Sequence, residues 1–303
     1  MTRSLAELIT KAREQGPLNL VVAAAADEEV LLAVKEARNL GIAAPFLVGD
    51  EPRIQQLAAG IDFDLTDVPL YHEPQTASCA RRAVGLVSSG QAHLLMKGLM
   101  STADILRAVL DKEIGLRTGR ILSHVMVYEM PGYDRLFFLT DGGMNMFPDL
   151  KQKADIVTNA VEVARALGID EPKVAALAAI EMVNPDMTAT LDAAALAQMA
   201  ARGQIKNCVI DGPLALDNAI SAKAASHKGI VSSVAGKADI LLVPSIEAGN
   251  LLGKAMTYFG QGKSAGIIVG TKAPVVLVSR ADPNETKLQS IALGVVAAAS
   301  SNK

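Results

Sequence analysis

A serine followed at once by an arginine, at the end of a β-branched run and just ahead of a helix, can do anion chemistry. Val275–Val278 reads as the strand, and Ser279, Arg280, Ala281, Asp282, Pro283, Asn284 and Glu285 follow it. In open α/β sheets, ligands bind beyond the carboxyl ends of the strands. A helix start at that place offers unpaired amides and the positive end of a dipole to an anion. Arg280 adds a planar guanidinium suited to phosphate oxygens. Two readings stay open for the acids. Asp282, Pro283 and Glu285 have the order of an N-cap, a first-turn proline and an N3 carboxylate, which is capping without catalytic content. The same carboxylates also stand where a base could act. Capping leaves Ser279 and Arg280 unexplained, and a functional role is favoured there.

A second junction of the same kind is Lys97-Gly98-Leu99-Met100-Ser101-Thr102-Ala103-Asp104. Ser101 and Asp104 fit an N-cap with an N3 acid, and Lys97 stands where the strand ends. Arg107, three residues past Asp104, shares its helical face. It reads equally as half of a surface ion pair or as a second cation for a ligand. After a strand at Asp239–Val243 come Pro244 to Asn250, where Gly249 permits close backbone approach and Asn250 can donate and accept. A plain turn and cap accounts for these as well. Asp211-Gly212-Pro213 and Thr140-Asp141-Gly142-Gly143 read first as turns.

Two short strings mislead. Gly262-Lys263-Ser264-Ala265-Gly266 matches a nucleophile elbow but follows a helix, and that motif needs a strand before it. The same Gly-Lys-Ser resembles the end of a phosphate-binding loop, yet Thr257 stands where the first glycine must be. A flexible loop ahead of a strand at Gly266–Val269 is the expectation. Cys79 and Cys208 read as core thiols. His72, His93, His124 and His227 have no paired spacing, so no metal site is expected.

The elements that must position these residues alternate. Short strands at Leu18–Val22, Pro45–Val48 and His93–Met96 alternate with helices, as in a parallel sheet covered by helices. Ile121–Tyr128 and Arg135–Thr140 flank Met130-Pro131-Gly132-Tyr133-Asp134 as a β-hairpin, which marks a second domain. That domain continues through helix Leu150–Leu167, strand Lys173–Ile180, helix Asp186–Arg202, strand Asn207–Ile210, helix Leu216–Ala225, strand Asp239–Val243 and helix Leu251–Phe259. The final strand and helix are too short to fold alone and return to the first domain. The expectation is an α/β protein of two α/β/α domains, 1–118 plus 266–303 and an inserted 119–265, with a ligand cleft between them.

Composition excludes several classes. The chain has 303 residues, a net charge of −3 and 20% charged residues, which is far from a disordered polyelectrolyte. A charge this near zero argues against nucleic acid as a partner. The longest predominantly apolar stretches, Leu18–Ala26 and Ile291–Ala299, fall short of the roughly 20 residues of a spanning helix, so no membrane role is expected. The first residues lack a signal-peptide core and the cysteines lack a disulfide pattern, which points to the cytoplasm.

Taken together, Lys97-Gly98-x-x-Ser101-Thr102-Ala103-Asp104-x-x-Arg107, Asp211-Gly212-Pro213-Leu214, Glu247-Ala248-Gly249-Asn250 and Ser279-Arg280-Ala281-Asp282 resemble the phosphate acetyl/butyryltransferase family. Ser-Arg-Ala-Asp with Glu285 and Lys287 downstream is more similar to the butyryl branch than to the acetyl branch. The resemblance implies an isocitrate/isopropylmalate dehydrogenase-like fold with mostly parallel sheets, and a homodimer or higher homo-oligomer. The implied reaction is acyl-CoA + phosphate ⇌ acyl phosphate + CoA, with coenzyme A as a substrate and no permanently bound cofactor. It makes Ser279, Arg280, Asp282 and Glu285 the catalytic candidates, and Lys97, Ser101, Thr102, Arg107, Gly249 and Asn250 the substrate-binding ones. Acetyl-branch members carry a catalytic aspartate seven residues after the motif serine, where this chain has Thr286, so the base is unassigned. With 3% aromatic residues and no Trp, CoA must be held by backbone, aliphatic and cationic contacts. Two other readings remain at this point: a metal-dependent decarboxylating dehydrogenase of the related superfamily, and a non-catalytic protein that binds CoA or acyl phosphate.

Overall fold

The computed structural model describes residues 1–279 and 282–301. It divides the chain into two compact units, Leu5–Arg120 with Ala265–Lys303, and Met1–Ser4 with Ile121–Ser264. Both are mixed α/β, and the strand pairing is mostly parallel.

The first unit contains α1 (Leu5–Gln15), β1 (Leu18–Ala23), α2 (Glu28–Asn39), β2 (Ala43–Gly49), α3 (Glu51–Gly60), β3 (Leu70–His72), α4 (Thr76–Ser88), β4 (Leu94–Lys97) and α5 (Thr102–Val109). Its strands lie in the order β3, β2, β1, β4 and are all parallel. The last part of the chain completes it. A short strand from Val275 to Val276 pairs parallel to β4, and a helix from Asn284 to Ser301 follows. That strand matches Val275 with Leu95 and Val276 with Met96, so it extends the sheet beside β4. Leu20, Val21, Val22, Leu94, Leu95, Met96, Val275 and Val276 are wholly buried, as strands covered on both faces require.

The second unit contains β5 (Ser123–Glu129), β6 (Leu136–Thr140), α6 (Leu150–Ala166), β7 (Lys173–Leu177), α7 (Thr188–Ala201), β8 (Val209–Leu214), α8 (Leu216–Ile220), α9 (Ala222–His227), β9 (Ile240–Leu242) and α10 (Ile246–Tyr258). β5 and β6 form the antiparallel hairpin expected from the sequence, with Met126 opposite Leu139 and Glu129 opposite Leu136. β6, β9, β7 and β8 then continue in parallel. β10 (Lys263–Val269) follows, then β11 and α11 for the terminal strand and helix already described; β10 runs antiparallel to β11.

Four local expectations are corrected. The stretch expected as a flexible loop at Gly262–Ala265 is largely strand, because β10 begins at Lys263. Asp211-Gly212-Pro213 lies inside β8, not in a turn, and a register irregularity opposite β7 accommodates it. Gly212 is needed there because a Cβ would lie 2.7 Å from the carbonyl oxygen of Ala176. The helix expected over Leu216–Ala225 is two short helices, since Ser221 ends one and caps the next. The helix expected from Leu251 starts five residues earlier, at Ile246. Among the described residues no helix is long and apolar enough to cross a membrane.

Candidate functional site

β1, β4 and β11 are parallel neighbours, so their carboxyl ends open on one edge of the first unit. An open pocket, about 350 Å³ when counted out into open solvent, lies just beyond them. Its wall is made by Asp27, Glu29 and Val30 after β1, Lys97, Gly98 and Leu99 after β4, Val278 and Ser279 after β11, and Lys287 of α11.

The β4 side depends on a close backbone approach. Gly98 and Leu99 donate their amides to the carbonyls of Ala23 and Ala24, both at 2.8 Å. A Cβ on Gly98 would sit 2.2 Å from the oxygen of Ala24, so no other residue fits without moving backbone. Lys97 is only 6% exposed, and its ammonium bends back to donate to the carbonyls of Gly98 and Met100, each at 3.2 Å. On the β1 side Asp27 caps α2, its carboxylate accepting from the amide of Val30 at 3.0 Å.

The β11 side is tied by its own short-range bonds. The amide of Ser279 donates to the carboxylate of Asp282 at 2.8 Å, and the amide of Asp282 returns a bond to the carbonyl of Ser279 at 3.2 Å. The Lys287 ammonium, 2% exposed, donates to the carbonyl of Asp282. This corrects the capping expectation. α11 begins at Asn284, so Pro283 stands between Asp282 and the helix, and the Asp282 carboxylate turns back to Ser279. Glu285 accepts from the side-chain amide of Gln289 one turn along, at 3.2 Å. Arg280 lies outside the described residues.

Thr102 and Arg107 belong to α5 and Ser101 is its N-cap; none of the three is among the residues that line that pocket. Ser101 caps the helix, accepting from the Asp104 amide at 3.1 Å and donating to the Asp104 carboxylate at 2.7 Å. Arg107 donates to the same carboxylate at 2.9 Å from a side chain that is 74% exposed. The Ser101 hydroxyl first, and then Arg107, hold the Asp104 carboxyl below its ordinary range.

Gly249 and Asn250 belong to the other unit and are helical, in the first turns of α10. A Cβ on Gly249 would lie 2.6 Å from the Cα of Gly142, so the two glycines let α10 seat on the turn after β6. Asn250 reaches the carbonyl of Gly142 at 3.5 Å. Asp141 of that turn is 3% exposed and accepts from the amides of Gly143 and Met144 and from the side chain of Asn145. Two junctions that look separate in the sequence are therefore one packed assembly.

The Cys79 thiol lies in the core, whereas Cys208, expected there as well, is only half-buried and stands just before β8. Cys79 accepts from the amide of Ala24 and donates to the carbonyl of Val48, and burial pushes its pKa up to about 11. Burial likewise pushes Cys208 to about 11.

Asp27 and Glu29, which line the pocket, are not among the candidates named from the sequence. Lys287 is named there without a place in the site. The signal available for the first two was their position, since they too follow the end of a strand.

A match to the family described as Phosphate acetyl/butaryl transferase covers residues 72–295. The chain is 53% identical over 298 residues to a phosphate butyryltransferase of Clostridium acetobutylicum, covering 98% of this chain and 99% of that one. It is 46% identical to a phosphate acetyltransferase of Thermotoga maritima, covering 96% and 99%. Among solved structures, a branched-chain phosphotransacylase from Enterococcus faecalis V583 aligns with a TM-score of 0.80 and 35% identity, covering 93% of this chain and 99% of that chain.

Proposed function

The chain belongs to the phosphate acetyl/butaryl transferase family, and on that premise we propose that it transfers a short acyl group, butyryl by preference, between CoA and inorganic phosphate. The observation that carries this reading to a place is the pocket beyond β1, β4 and β11, where Ser279 stands beside two buried ammonium groups, Lys97 and Lys287. Acyl phosphate, phosphate and the CoA diphosphate are all anions that the two ammonium groups attract; Asp27 and Glu29 share the wall, with the Asp27 carboxylate held on the Val30 amide.

The chemistry runs as direct transfer in a ternary complex. A CoA thiol has a reference pKa near ~8.5 and is mostly protonated at neutral pH, so a base must take its proton. The Asp282 carboxylate is tied to the main-chain amide of Ser279 and the Glu285 carboxylate to the side chain of Gln289, and we assign the base to Glu285, in the first turn of α11. The thiolate attacks the carbonyl carbon of the acyl phosphate, the carbonyl oxygen gains charge, and the Ser279 hydroxyl donates to it. The tetrahedral species collapses by breaking the bond to the phosphate oxygen, Glu285 returns the thiol's proton to that oxygen, and the group leaves as hydrogen phosphate dianion. Lys97 with Arg280 and Arg107 neutralise that group, the guanidinium forks by paired hydrogen bonds. Ser101 and Thr102 at the start of α5 are assigned to the substrate on this reading; Gly249 and Asn250, in the first turns of α10, stay separate substrate-binding candidates of the other unit.

Acyl-CoA, phosphate, acyl phosphate and a second copy of the chain are its partners, in the cytoplasm. The domain division accompanying this reading is 1–118 plus 266–303, with 119–265 inserted. Phosphate-dependent release of CoA from acetyl-, propionyl- and butyryl-CoA tests it. Release that is fastest with butyryl-CoA and absent without phosphate is expected. No release from any of the three in the presence of phosphate would overturn the reading.

A further inference from the structure

We propose that Lys287 is a positioning residue for Ser279, acting through Asp282; this rests on the transferase reading above. Three observations converge on it. The Lys287 ammonium, 2% exposed, donates to the main-chain carbonyl of Asp282. The same Asp282 accepts the amide of Ser279 on its carboxylate at 2.8 Å and donates its own amide to the Ser279 carbonyl at 3.2 Å. Lys287 lies on the second turn of α11, whose backbone is fixed by a bond from its amide to the carbonyl of Pro283 at 3.2 Å and by burial among Leu288, Ile291 and Ala292. A helix packed into the core thus reaches forward with one charged arm and holds the far end of the segment that carries the serine.

The reason for a lysine here is physical. A buried ammonium is unfavourable unless hydrogen-bonded, and a core position facing helix and sheet would take an apolar residue more easily. The charge-assisted bond to a carbonyl is stronger than a neutral one. It holds the Asp282 backbone, and the Asp282 carboxylate then fixes the Ser279 amide. Reaction geometry is sensitive to displacements of about 1 Å, so loosening Asp282 moves the hydroxyl away from the developing oxyanion. That loss appears in the transition state and not in ground-state binding, which predicts a fall in kcat with KM unchanged.

The experiment compares Lys287→Met, Lys287→Gln and wild type, each also in a Ser279→Ala background, with butyryl-CoA and phosphate as substrates. Wild-type activity is the control for the transferase reading itself, and inactive wild-type protein would refute that reading before the variants are considered. With active wild type, Lys287→Met is expected to lower kcat about 10- to 100-fold, leave both KM values within about twofold, and cost little further once Ser279 is alanine. Lys287→Gln keeps a donor on a shorter arm and is expected to retain more kcat than the methionine variant. It also preserves the comparison if Lys287→Met does not fold. A wild-type kcat in both variants would overturn the proposal. So would a rise in KM for phosphate alone, which would make Lys287 a ligand contact, or an equal loss in both serine backgrounds, which would make its role purely structural.

Discussion

Two buried lysines, one in each unit, meet opposite kinds of partner. Lys153 of α6 is 5% exposed and faces the carboxylate of Asp192 on α7 at 2.6 Å, an ion pair that joins two helices. Lys287 of α11 is 2% exposed and faces a main-chain carbonyl next to the candidate serine. The first arrangement neutralises its charge in place, and its work is complete once the helices have docked. The second leaves a positive charge at the wall of a pocket. Lys153 and Asp192 also line a small cavity, so what separates the two lysines is the partner: a carboxylate cancels one charge and a neutral carbonyl leaves the other in place.

The contrast breaks most easily at the joint. Asp192→Ala strands the Lys153 ammonium and is expected to lower unfolding free energy by about 3–5 kcal/mol in urea titrations. Turnover per folded molecule should stay at the wild-type value; a tenfold fall would show that the pair also serves the reaction. The converse holds at the site. Ser279→Ala is expected to cut kcat by about 10²–10³, equivalent to roughly 3–4 kcal/mol of barrier, with an unchanged urea midpoint.

A smaller effect concerns the Cys79 thiol, which belongs with the joints. Its folded pKa, about 11, lies above the ordinary 9.0, so the folded state holds its proton after the unfolded chain has lost it. The stability this contributes is fully present below pH 9 and falls away as pH rises to about 11. A decline of about 1–3 kcal/mol over that window, absent in Cys79→Ala, is the expected outcome. The smallest change is at α5. Arg107 is exposed and its pairing with Asp104 is a surface contact. Arg107→Ala should leave the unfolding midpoint in place and raise KM for phosphate about tenfold, or ~1.4 kcal/mol; unchanged kinetics would return Arg107 to the surface-pair reading.

The parts of the fold that were legible in sequence are those whose pattern is local. The β5–β6 hairpin could be read because both strands and their connection are contiguous, and β1, β2 and β4 because buried parallel strands are short, predominantly apolar runs. The start of α10 was misplaced because Gly249 suggests a loop. Its glycine serves packing against Gly142, a partner more than a hundred residues away. β8 was truncated because Gly212 and Pro213 look like a turn unless the neighbouring strand is known. At the site, Lys97 and Ser279 were legible as residues at strand ends, and the structure puts both on one pocket wall. Asp282 was not, since its string is that of a helix cap and only the direction of its carboxylate separates the two roles. Lys287 was hidden for a similar reason. A lysine in an apolar helix shows its acceptor only in three dimensions.

The placement of β11 beside β4 has a consequence for how the molecule comes into being. A ribosome delivers β1 and β4 early, but the strand that pairs with β4, and the serine beyond it, emerge only after everything from Ile121 to Ser264 has been made. At ~5–20 residues per second that interval is roughly 10–35 s. During it the first unit has an unfinished sheet edge at β4, while the inserted unit has all its strands and can close. The growing chain therefore carries only the β1 and β4 sides of the pocket wall until β11 and α11 arrive, and on the proposed reading capacity for transfer waits for those two elements rather than accumulating along the chain.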